Sequence, residues 1–243
     1  MKTKSALAAA RGFQGILSVI AGIGLLLVAG CATTQKAELK PGNLKCAFLG
    51  SDCSKLSPGP EEGAALRYNY PKAEWTRYNK VLVSPVTFWG GDTTPVPTLD
   101  QQELVNYFNE KLREKIGEKM QLADRPGPGV LKLEVAMTDA ETATPMLRSI
   151  SMIVPQAHML SNLKYLATGT FPFVGGAQAE AKVTDSVTGQ TLALAVDRRI
   201  GGGSFTSGFQ WQWGDAQNAI DAWCERAANK LSAWTSGTEK PQP

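Results

Sequence analysis

The stretch that decides the fold is "AQAEAKVTDSVTGQTLALAVDRR", residues 177–199. In residues 177–185 small apolar residues alternate with polar ones, and in residues 191–199 large apolar residues alternate with Ala193, Ala195 and Asp197. A period of two is typical of a strand with one buried face. The segment "DSVTGQ" between the two runs carries Gly189, which suits a tight turn. The stretch therefore predicts an antiparallel β-hairpin with strands at 177–185 and 191–199.

Two further strands are predicted upstream of this hairpin. The segment "NKVLVSPVTFW", residues 79–89, is short and β-branched, and its Pro85 indicates a sheet edge or a bulge. The turn "DRPGPG", residues 124–129, is followed by apolar residues at the odd positions from 131 to 137. This second alternation predicts another strand with one buried face.

Helices are predicted where apolar residues recur with a longer period. Thr98 and Gln101 are spaced as in a capping box, and a short helix is expected at residues 156–165. Asp215 is expected to cap the last helix. The apolar stripe of the first helix comprises Leu104, Phe108, Leu112 and Ile116, and that of the last comprises Ala216, Ile220, Trp223, Ala227, Leu231 and Trp234.

The order of these elements predicts the fold class. The predicted order is strand, helix, strand, short helix, hairpin and helix. This order favours an α+β domain, in which a mixed or antiparallel sheet has helices packed mainly on one face. We expect a single domain at residues 46–235. A signal peptide at 1–30 and a lipidated cysteine with a flexible tether at 31–45 precede it, and a disordered tail at 236–243 follows it.

The first thirty residues are typical of a secretory signal. Lys2, Lys4 and Arg11 give a positive start, and a mostly apolar segment at 13–29 ends in small residues. Its best uninterrupted part, residues 16–28, is shorter than the ~20 residues of a membrane span. The tetrapeptide "VAGC" at 28–31 resembles the lipobox of bacterial lipoproteins.

This resemblance implies a lipid anchor. In that class the signal is cut before the cysteine, the thiol receives a diacylglyceryl group, and the new amino group is acylated, for example with palmitate. Two or more chains anchor a protein stably, since each buried methylene adds ~0.8 kcal/mol. Ala32, which stands where an aspartate implies retention at the inner membrane, implies the outer membrane. We expect Cys31 to hold the protein there, facing the periplasm.

Charge and cysteine content exclude several function classes. The chain has 25 basic and 22 acidic residues, and three of the basic ones lie in the signal, so the mature chain is formally neutral. It therefore lacks the excess of positive charge that is typical of nucleic-acid-binding proteins. We expect Cys46 and Cys53, which flank "GSD", to form a disulfide in the oxidising periplasm. Cys224 is expected to be a buried thiol. The single histidine and the lack of paired cysteine spacing predict no metal and no cofactor.

Several phrases together resemble one bacterial lipoprotein family. They include "AFLGSDCSKLSPGP" at 47–60, "LRYNYPKAEWTRYNKVLVSPV" at 66–86, "PGPGVLKLEVAMTDAE" at 126–141 and "QWQWGDAQNAIDAW" at 210–223, besides the hairpin. The chain is similar to the group known as domain of unknown function 3313, which tends to have an aromatic residue where this chain has Cys53. The resemblance implies a fold and an envelope location, and it implies no activity.

Two surface clusters are candidate binding sites. Arg198 and Arg199, followed by glycines at 201–203, could hold a phosphate or carboxylate, or could form the salt-bridged end of a strand. Trp211 and Trp213 could form a platform for sugar rings, or could seal the core under the last helix. The sequence leaves both pairs of alternatives open.

An apolar loop with glycines on either side is a third candidate. Phe171, Phe173 and Val174 would form a docking surface or a lipid contact if they are exposed, and a flap over the core if they are buried.

The residues that could support catalysis form no complete constellation. His158 has serines near it in sequence, yet no Gly-x-Ser-x-Gly elbow is present. A pair of carboxylates could cleave a glycan if two of them lay ~5–10 Å apart in a cleft. The candidates are Glu134, Asp139, Glu141, Glu180 and Asp185. We therefore expect a protein without enzymatic activity.

Three hypotheses for function follow. The first is an accessory lipoprotein that binds the membrane through Cys31 and another envelope protein through its domain. The second is a carrier of a lipid or another apolar small molecule, with an apolar cavity under the loop at 171–174. The third is an envelope glycan hydrolase that uses Glu134 with Glu180 or Asp185.

Replacing Cys31 with serine tests the anchor directly. The Cys31→Ser protein should carry no acyl chain and keep residues 1–30, because the thioether precedes cleavage in the class that the lipobox resembles. Intact-mass spectrometry of membrane and soluble fractions measures both properties. An acylated and processed Cys31→Ser protein would contradict the prediction.

Overall fold

The computed structural model describes the domain in five segments and one further residue. These are residues 34–41, 44, 46–91, 94–141, 175–201 and 213–242. Residues Thr33–Pro243 form one compact unit. The predicted signal, Cys31, the short helix at 156–165, the loop at 171–174, His158 and Trp211 lie outside the described residues.

The described part of the chain contains nine strands and two α-helices. The strands are β1 (Thr34–Lys36), β2 (Ser57–Pro58), β3 (Leu66–Asn69), β4 (Lys80–Val83), β5 (Thr87–Phe88), β6 (Gln121–Leu122), β7 (Val130–Glu141), β8 (Gly176–Asp185) and β9 (Thr191–Gly201). The helices are α1 (Thr98–Lys119) and α2 (Gly214–Ser236), and short 3-10 helices span Gly50–Lys55 and Trp75–Arg77. None of the helices in these ranges is both long and apolar enough to cross a membrane.

All of these strands join one open, mixed sheet. The order across it is β2-β3-β9-β8-β7-β4-β6. The pairs β2–β3, β3–β9, β9–β8 and β8–β7 are antiparallel, whereas β4 is parallel to both β7 and β6. Strand β1 pairs with the end of β9, and β5 pairs with β7. The predicted α+β class with a mixed sheet is confirmed.

The hairpin of β8 and β9 forms as its sequence predicts. Gly189 adopts a φ of 71°, which a residue with a side chain rarely adopts. The carboxylate of Asp185 accepts hydrogen bonds from the backbone amides of Val187 (2.9 Å) and Thr188 (2.8 Å), which fixes the turn. The register places Ala181 opposite Ala195, so residues of odd number share one face of both strands there.

Both helices pack on the odd-numbered face of this hairpin. The predicted stripe of α1 is buried, and the rings of Phe108 and Trp223 stack with centroids 5.9 Å apart across the two helices. Burying a large apolar side chain contributes ~1.5–3 kcal/mol, so this interface is a major source of stability. The helices contact Leu131, Leu133, Val135 and Met137 of β7, which are buried as the alternation predicts.

The predicted helix caps are wrong. Thr98 is the first helical residue, Pro97 precedes it, and no side chain caps that end. The amide of Gln101 instead donates to the carbonyl of Val96 at 2.8 Å. Asp215 lies inside the first turn of α2, where its carboxylate accepts a hydrogen bond from the backbone N–H of Gly175 at 2.9 Å. The loop before β8 therefore takes the acceptor that the sequence pattern assigned to the helix end.

The opposite face of the sheet is covered by an irregular segment around residues 46–56. Leu49 and Leu56 pack on Leu66, Leu194 and Val196 in a second, smaller core. A disulfide joins Cys46 to Cys53, with their Cα atoms 5.8 Å apart. The helices thus lie on one face of the sheet, as expected, and the disulfide-bonded segment around residues 46–56 covers the other face.

Glu180 fastens this segment to the sheet. Its carboxylate is fully buried and accepts hydrogen bonds from the backbone amides of Ala47 (2.9 Å), Phe48 (3.0 Å) and Leu49 (2.8 Å). At the surface, Lys182 adds an ion pair with Asp52 at 2.7 Å. A buried carboxylate requires such donors, because an unsatisfied one costs several kcal/mol.

The two ends of the domain differ from the sequence prediction. Residues 34–36 of the expected tether form β1, which pairs with residues 199–201 of β9. The expected disordered tail also contacts the fold. Gly237 ends α2 with a φ of 76°, and Asn69 donates a 2.7 Å hydrogen bond to the carbonyl of Gln242. Polar composition alone predicted disorder, but both segments satisfy backbone groups of the sheet or side chains at its edge.

Replacing Glu180 with alanine should destabilise the domain strongly. Three backbone amides would lose a charged acceptor, which should lower the free energy of unfolding by about 3 kcal/mol or more. Glu180→Gln keeps one oxygen acceptor and should lose less. Urea unfolding measures the difference.

Glu134→Gln is the matched control, because Glu134 lies on the same face of the sheet, is half-buried and pairs only with Lys132 at 2.7 Å among the described residues. Its effect should stay within about 1 kcal/mol. Equal effects of Glu180→Ala and Glu134→Gln would contradict the role of Glu180.

Candidate ligand-binding cavity

A cavity of about 630 Å³ lies between α2 and the sheet. Strands β7, β8 and β9 form its floor, α2 forms one wall, and the turn at residues 60–64 and the segment at 239–242 border it. Its size falls within the ~300–1,000 Å³ of typical small-molecule sites.

The floor of the cavity is made of small side chains. Ala179, Ala181, Ala193 and Ala195 all line it. They are neighbours on the face that carries the helices, since Ala181 pairs with Ala195 and Val183 pairs with Ala193. A methyl group projects much less far from a sheet than a leucine or phenylalanine side chain does. The space between this part of the sheet and α2 is therefore not filled.

The walls of the cavity are mainly apolar. Helix α2 contributes Trp223, Ala227, Leu231 and Trp234, which recur on one side of the helix, and α1 contributes Phe108 and Leu112. Trp234 contacts Trp75, with ring centroids 4.8 Å apart. Large aromatic rings that are packed against one another hold a fixed shape. The cavity therefore has a preformed apolar wall.

Asp197 organises the polar end of the cavity. Its Oδ1 accepts a hydrogen bond from the backbone N–H of Ala65 (2.9 Å), and its Oδ2 accepts from Trp223 Nε1 (2.8 Å), Arg199 Nε (3.0 Å) and Arg226 Nη1 (3.4 Å). Asp197 is 4% exposed, so this carboxylate joins β9, α2 and the turn before β3 in a buried network.

Arg226 projects from α2 into the same end of the cavity. Burial lowers the pKa of its guanidinium, as does the positive charge of Arg199, while Asp197 opposes both effects. The side chain is 25% exposed. A guanidinium at the polar end of an apolar cavity could bind an acidic group.

The opposite end of the cavity carries polar groups that already have partners. The amide of Asn69 is bonded to the carbonyl of Gln242, and Lys230 forms an ion pair with Glu239 at 2.6 Å. Both partners of that ion pair are partly exposed, at 44% and 45%. This end therefore faces solvent.

The candidate carboxylates do not converge on the cavity. Glu134 and Glu180 share the face of the sheet away from the helices, and Glu180 is bound to three backbone amides there. Asp185 lies on the other face of β8, because it is five positions further along the strand than Glu180 and successive side chains alternate between the faces. Asp139 forms a 2.7 Å ion pair with Arg198, and the side chain of Glu141 lies outside the described residues.

The predicted arginine cluster is divided between the two faces of the sheet. Arg198 pairs with Asp139, whereas Arg199 is 7% exposed, pairs with Asp197 and donates to Thr34 Oγ1 at 3.0 Å. Adjacent residues of a strand project to opposite faces, so the two guanidinium groups cannot grip one anion. Of the two alternatives for Arg198 and Arg199, the structure shows the salt-bridged end of a strand.

Trp213 belongs to the core and not to an exposed platform. It is 1% exposed and immediately precedes α2. An aromatic ring that is covered on both sides offers no surface to a sugar. Of the two alternatives for this residue, sealing the core under the last helix is the one that the structure shows.

Cys224 is a buried free thiol. Burial raises its pKa to about 12, so the reactive thiolate is scarce at neutral pH. Within the described ranges, no group of three or more His, Cys, Asp or Glu side chains could hold a metal ion. The polar chemistry near the cavity is therefore provided by Asp197 and the arginines around it.

The sequence contains one signal for this cavity. Alanine occupies odd-numbered positions 177, 179, 181, 193 and 195 of the hairpin, on the helix side, and alanine is small for a sheet that must pack against helices. A run of small residues at those positions indicates either a close approach of the helix or an unfilled space. The distance between α2 and the sheet, which only the structure provides, decides between the two.

Fold and cavity together define a single α+β domain that has a mixed open sheet and an apolar cavity under its last helix. The chain belongs to the family described as protein of unknown function DUF3313, whose model matches residues 47–227. It is also 24% identical over 187 residues to the uncharacterized lipoprotein YdcL of Escherichia coli strain K12, covering 73% of this chain and 79% of that protein. The name of this relative agrees with the predicted lipoprotein class.

The solved structures that match this chain do so at low sequence identity and low TM-score. The PelC dodecamer from Paraburkholderia phytofirmans matches with a TM-score of 0.39 and 9% identity, covering 68% of this chain and 94% of that chain. The hypothetical protein CT253 from Chlamydia trachomatis matches with a TM-score of 0.34 and 10% identity, covering 65% and 99%.

Asp185 should make the domain sensitive to acid. Burial alone would raise its pKa, but hydrogen bonds from Thr188, Tyr78 and Val187 outweigh burial and lower the pKa from 3.8 to about 2. Because the folded pKa lies below the unfolded one, this stabilisation is present above about pH 4 and is lost as the pH falls towards 2, a change of about 2 kcal/mol.

The comparison of Asp185→Asn with the unaltered protein measures this contribution. The variant should be less stable at pH 7, and the difference between the two proteins should shrink between pH 4 and pH 2. Urea unfolding at several pH values provides the measurement, and Glu103→Gln, at an exposed position of α1, serves as the control. A constant difference at all pH values would contradict the assignment.

Proposed function

We propose that this protein is a lipid-anchored, non-enzymatic protein of the cell envelope whose domain binds an apolar small molecule. The observation that carries the proposal is the cavity of about 630 Å³, with its alanine floor and aromatic wall. Such a site can take an acyl chain or a ring system of similar size. The lipid anchor would place this site next to the membrane from which apolar molecules come.

The signal sequence and the relative support the anchored location. The lipobox resemblance at residues 28–31 and the lipoprotein name of the relative point to the same class. The absence of aspartate at position 32 favours the periplasmic face of the outer membrane. The proposal therefore combines anchoring at a membrane with a domain that shields an apolar ligand from water.

The energetics of the cavity favour an apolar ligand. Each methylene that leaves water for such a site contributes ~0.8 kcal/mol. Much of the cost of binding arises from ordering flexible groups, and a wall built from packed aromatic side chains needs little ordering. Micromolar affinity for a ligand with a dozen carbon atoms is therefore within reach of this cavity.

Cleavage of a glycan is disfavoured as an alternative, because Glu180 is engaged by the backbone of residues 47–49. Binding of another envelope protein, the accessory role that the sequence suggests, stays a prediction. A carrier that exchanges its ligand with such a protein would combine both roles.

Filling the cavity floor should abolish ligand binding. Residues Thr33–Pro243 form a compact unit with its own cores, so the domain can be produced without the leader and the anchor. The domain should bind one equivalent of the neutral fluorescent probe N-phenyl-1-naphthylamine. Ala195→Phe should weaken this binding by about tenfold or more, because the ring would take the space of the ligand.

Ala47→Phe is the matched control, since Ala47 is exposed on the other face of the domain and the substitution is the same. It should leave the affinity unchanged. Thermal unfolding verifies that each variant folds, and Ala227→Leu fills the same cavity from α2 if Ala195→Phe is unstable. Absence of saturable binding, or equal affinity in all variants, would refute the proposal.

A further inference from the structure

We infer that the cavity takes a single-chain amphiphile with a carboxylate head group, such as a long-chain fatty acid, and that Arg226 binds the carboxylate. This inference rests on the proposed function, because it names the class of ligand for the same cavity. The acyl chain would lie along the alanine floor, and the head group would lie beside Asp197.

The hydrogen bonding of Arg226 leaves most of its donors available. A guanidinium has five N–H donors, and among the described residues Arg226 uses one of them, in the 3.4 Å contact with Asp197. The same oxygen already accepts shorter bonds from Trp223 and Arg199. Asp197 therefore holds the Arg226 guanidinium in place but accepts a hydrogen bond from only one of its N–H donors.

The charges at this end of the cavity also favour an anion. The carboxylate of Asp197 faces two guanidinium groups, those of Arg199 and Arg226, so the buried cluster has an excess of one positive charge. Burial lowers the pKa of the Arg226 guanidinium, and the positive charge of Arg199 lowers it further, because the two guanidinium groups repel each other. A carboxylate that binds both terminal nitrogens of Arg226 would neutralise the cluster.

Three of the other charged groups that line the cavity, Glu61, Glu62 and Lys230, do not offer the same site. Glu61 and Glu62 are exposed at the rim, where water screens their charges, and Lys230 is paired with Glu239. The amide of Asn69 is bonded to Gln242. Two partly buried arginines line the apolar space, Arg67 of β3 and Arg226 of α2. Arg226 is the one that a hydrogen bond to Asp197 places in the buried network at the polar end of the cavity.

The shape of the cavity suits one chain with one polar end. From Asp197 to Ala193 the floor extends over four residues of β9, about 13 Å at the rise of a strand. From Arg226 to Trp234 the wall extends over eight residues of α2, about 12 Å at the rise of a helix. Both paths lead from the arginine to apolar surface, as the head and tail of a fatty acid require.

The experiment compares oleate with oleyl alcohol, which has the same chain and no charge. Each ligand displaces N-phenyl-1-naphthylamine from the domain of residues 33–243 at pH 8. We expect oleate to bind roughly tenfold or more tightly than the alcohol. Arg226→Gln should remove this preference and leave the affinity for the alcohol unchanged, whereas Arg226→Lys should keep part of it.

The controls separate this inference from the proposed function. Arg125→Gln removes an exposed arginine outside the cavity and should change neither affinity. Ala195→Phe should weaken both ligands equally. If neither ligand nor the probe binds, the proposed function fails. If both ligands bind with equal affinity, or if Arg226→Gln retains the preference for oleate, the cavity is real and the role of Arg226 is wrong.

A second measurement needs no variant. Carboxyl-labelled oleate, followed by ¹³C NMR while the pH is lowered, reports the pKa of the bound head group. A carboxylate paired with Arg226 should stay ionised to a lower pH than one placed in apolar surroundings, where desolvation raises the pKa. A bound carboxyl with a raised pKa would overturn the inference even if Arg226→Gln does not fold.

Discussion

The pairing of β8 with β9 is the constraint on which the rest of the domain depends. Its register places Glu180 opposite Val196 and Ala179 opposite Asp197, so adjacent residues serve opposite faces of the sheet. One face meets the disulfide-stapled segment through Glu180, and the other meets α2 through Asp197. A shift of one residue would exchange these two faces and bring each buried carboxylate to the wrong partners.

Each of the two buried carboxylates therefore joins parts of the chain that are far apart in sequence. Glu180 binds backbone amides about 130 residues upstream, and Asp197 joins Ala65 to Trp223 and Arg226. Glu180 accepts from the amides of an irregular segment, and Asp197 accepts from the amide before β3, from two side chains of α2 and from Arg199 of β9 itself. Asp197 borders the cavity, so the polar end of the proposed ligand site is also the place where β9, α2 and the turn before β3 are held together. This is the physical reason why Arg226 is held beside a carboxylate and yet remains available to an anionic ligand.

Sequence patterns predicted the parts of the fold that depend on neighbouring residues. The hairpin, α1 and α2 follow from periodicities of two and of about four, because side-chain direction repeats with the local backbone. Strands β1 and β3 were missed, since each is three or four residues long and is stabilised by pairing with distant β9. Asp215 was assigned to a helix cap because the pattern contains no information about Gly175, which takes that acceptor in the folded chain. The cavity was anticipated as part of the carrier hypothesis, but its position under α2 was not.

The amino-acid sequence by itself determined the alternation of the hairpin, the apolar stripes of the helices, the α+β class and the resemblance to a lipoprotein leader. Each of these depends on residue types at short separations, which a single chain displays directly. Only the tertiary structure decided that the alanines of β8 and β9 leave a space under α2, that Arg199 is buried while Arg198 pairs on the other face, and that Arg226 projects into the cavity. These outcomes depend on the distance between elements and on which groups compete for one acceptor, and neither quantity is encoded in local periodicity.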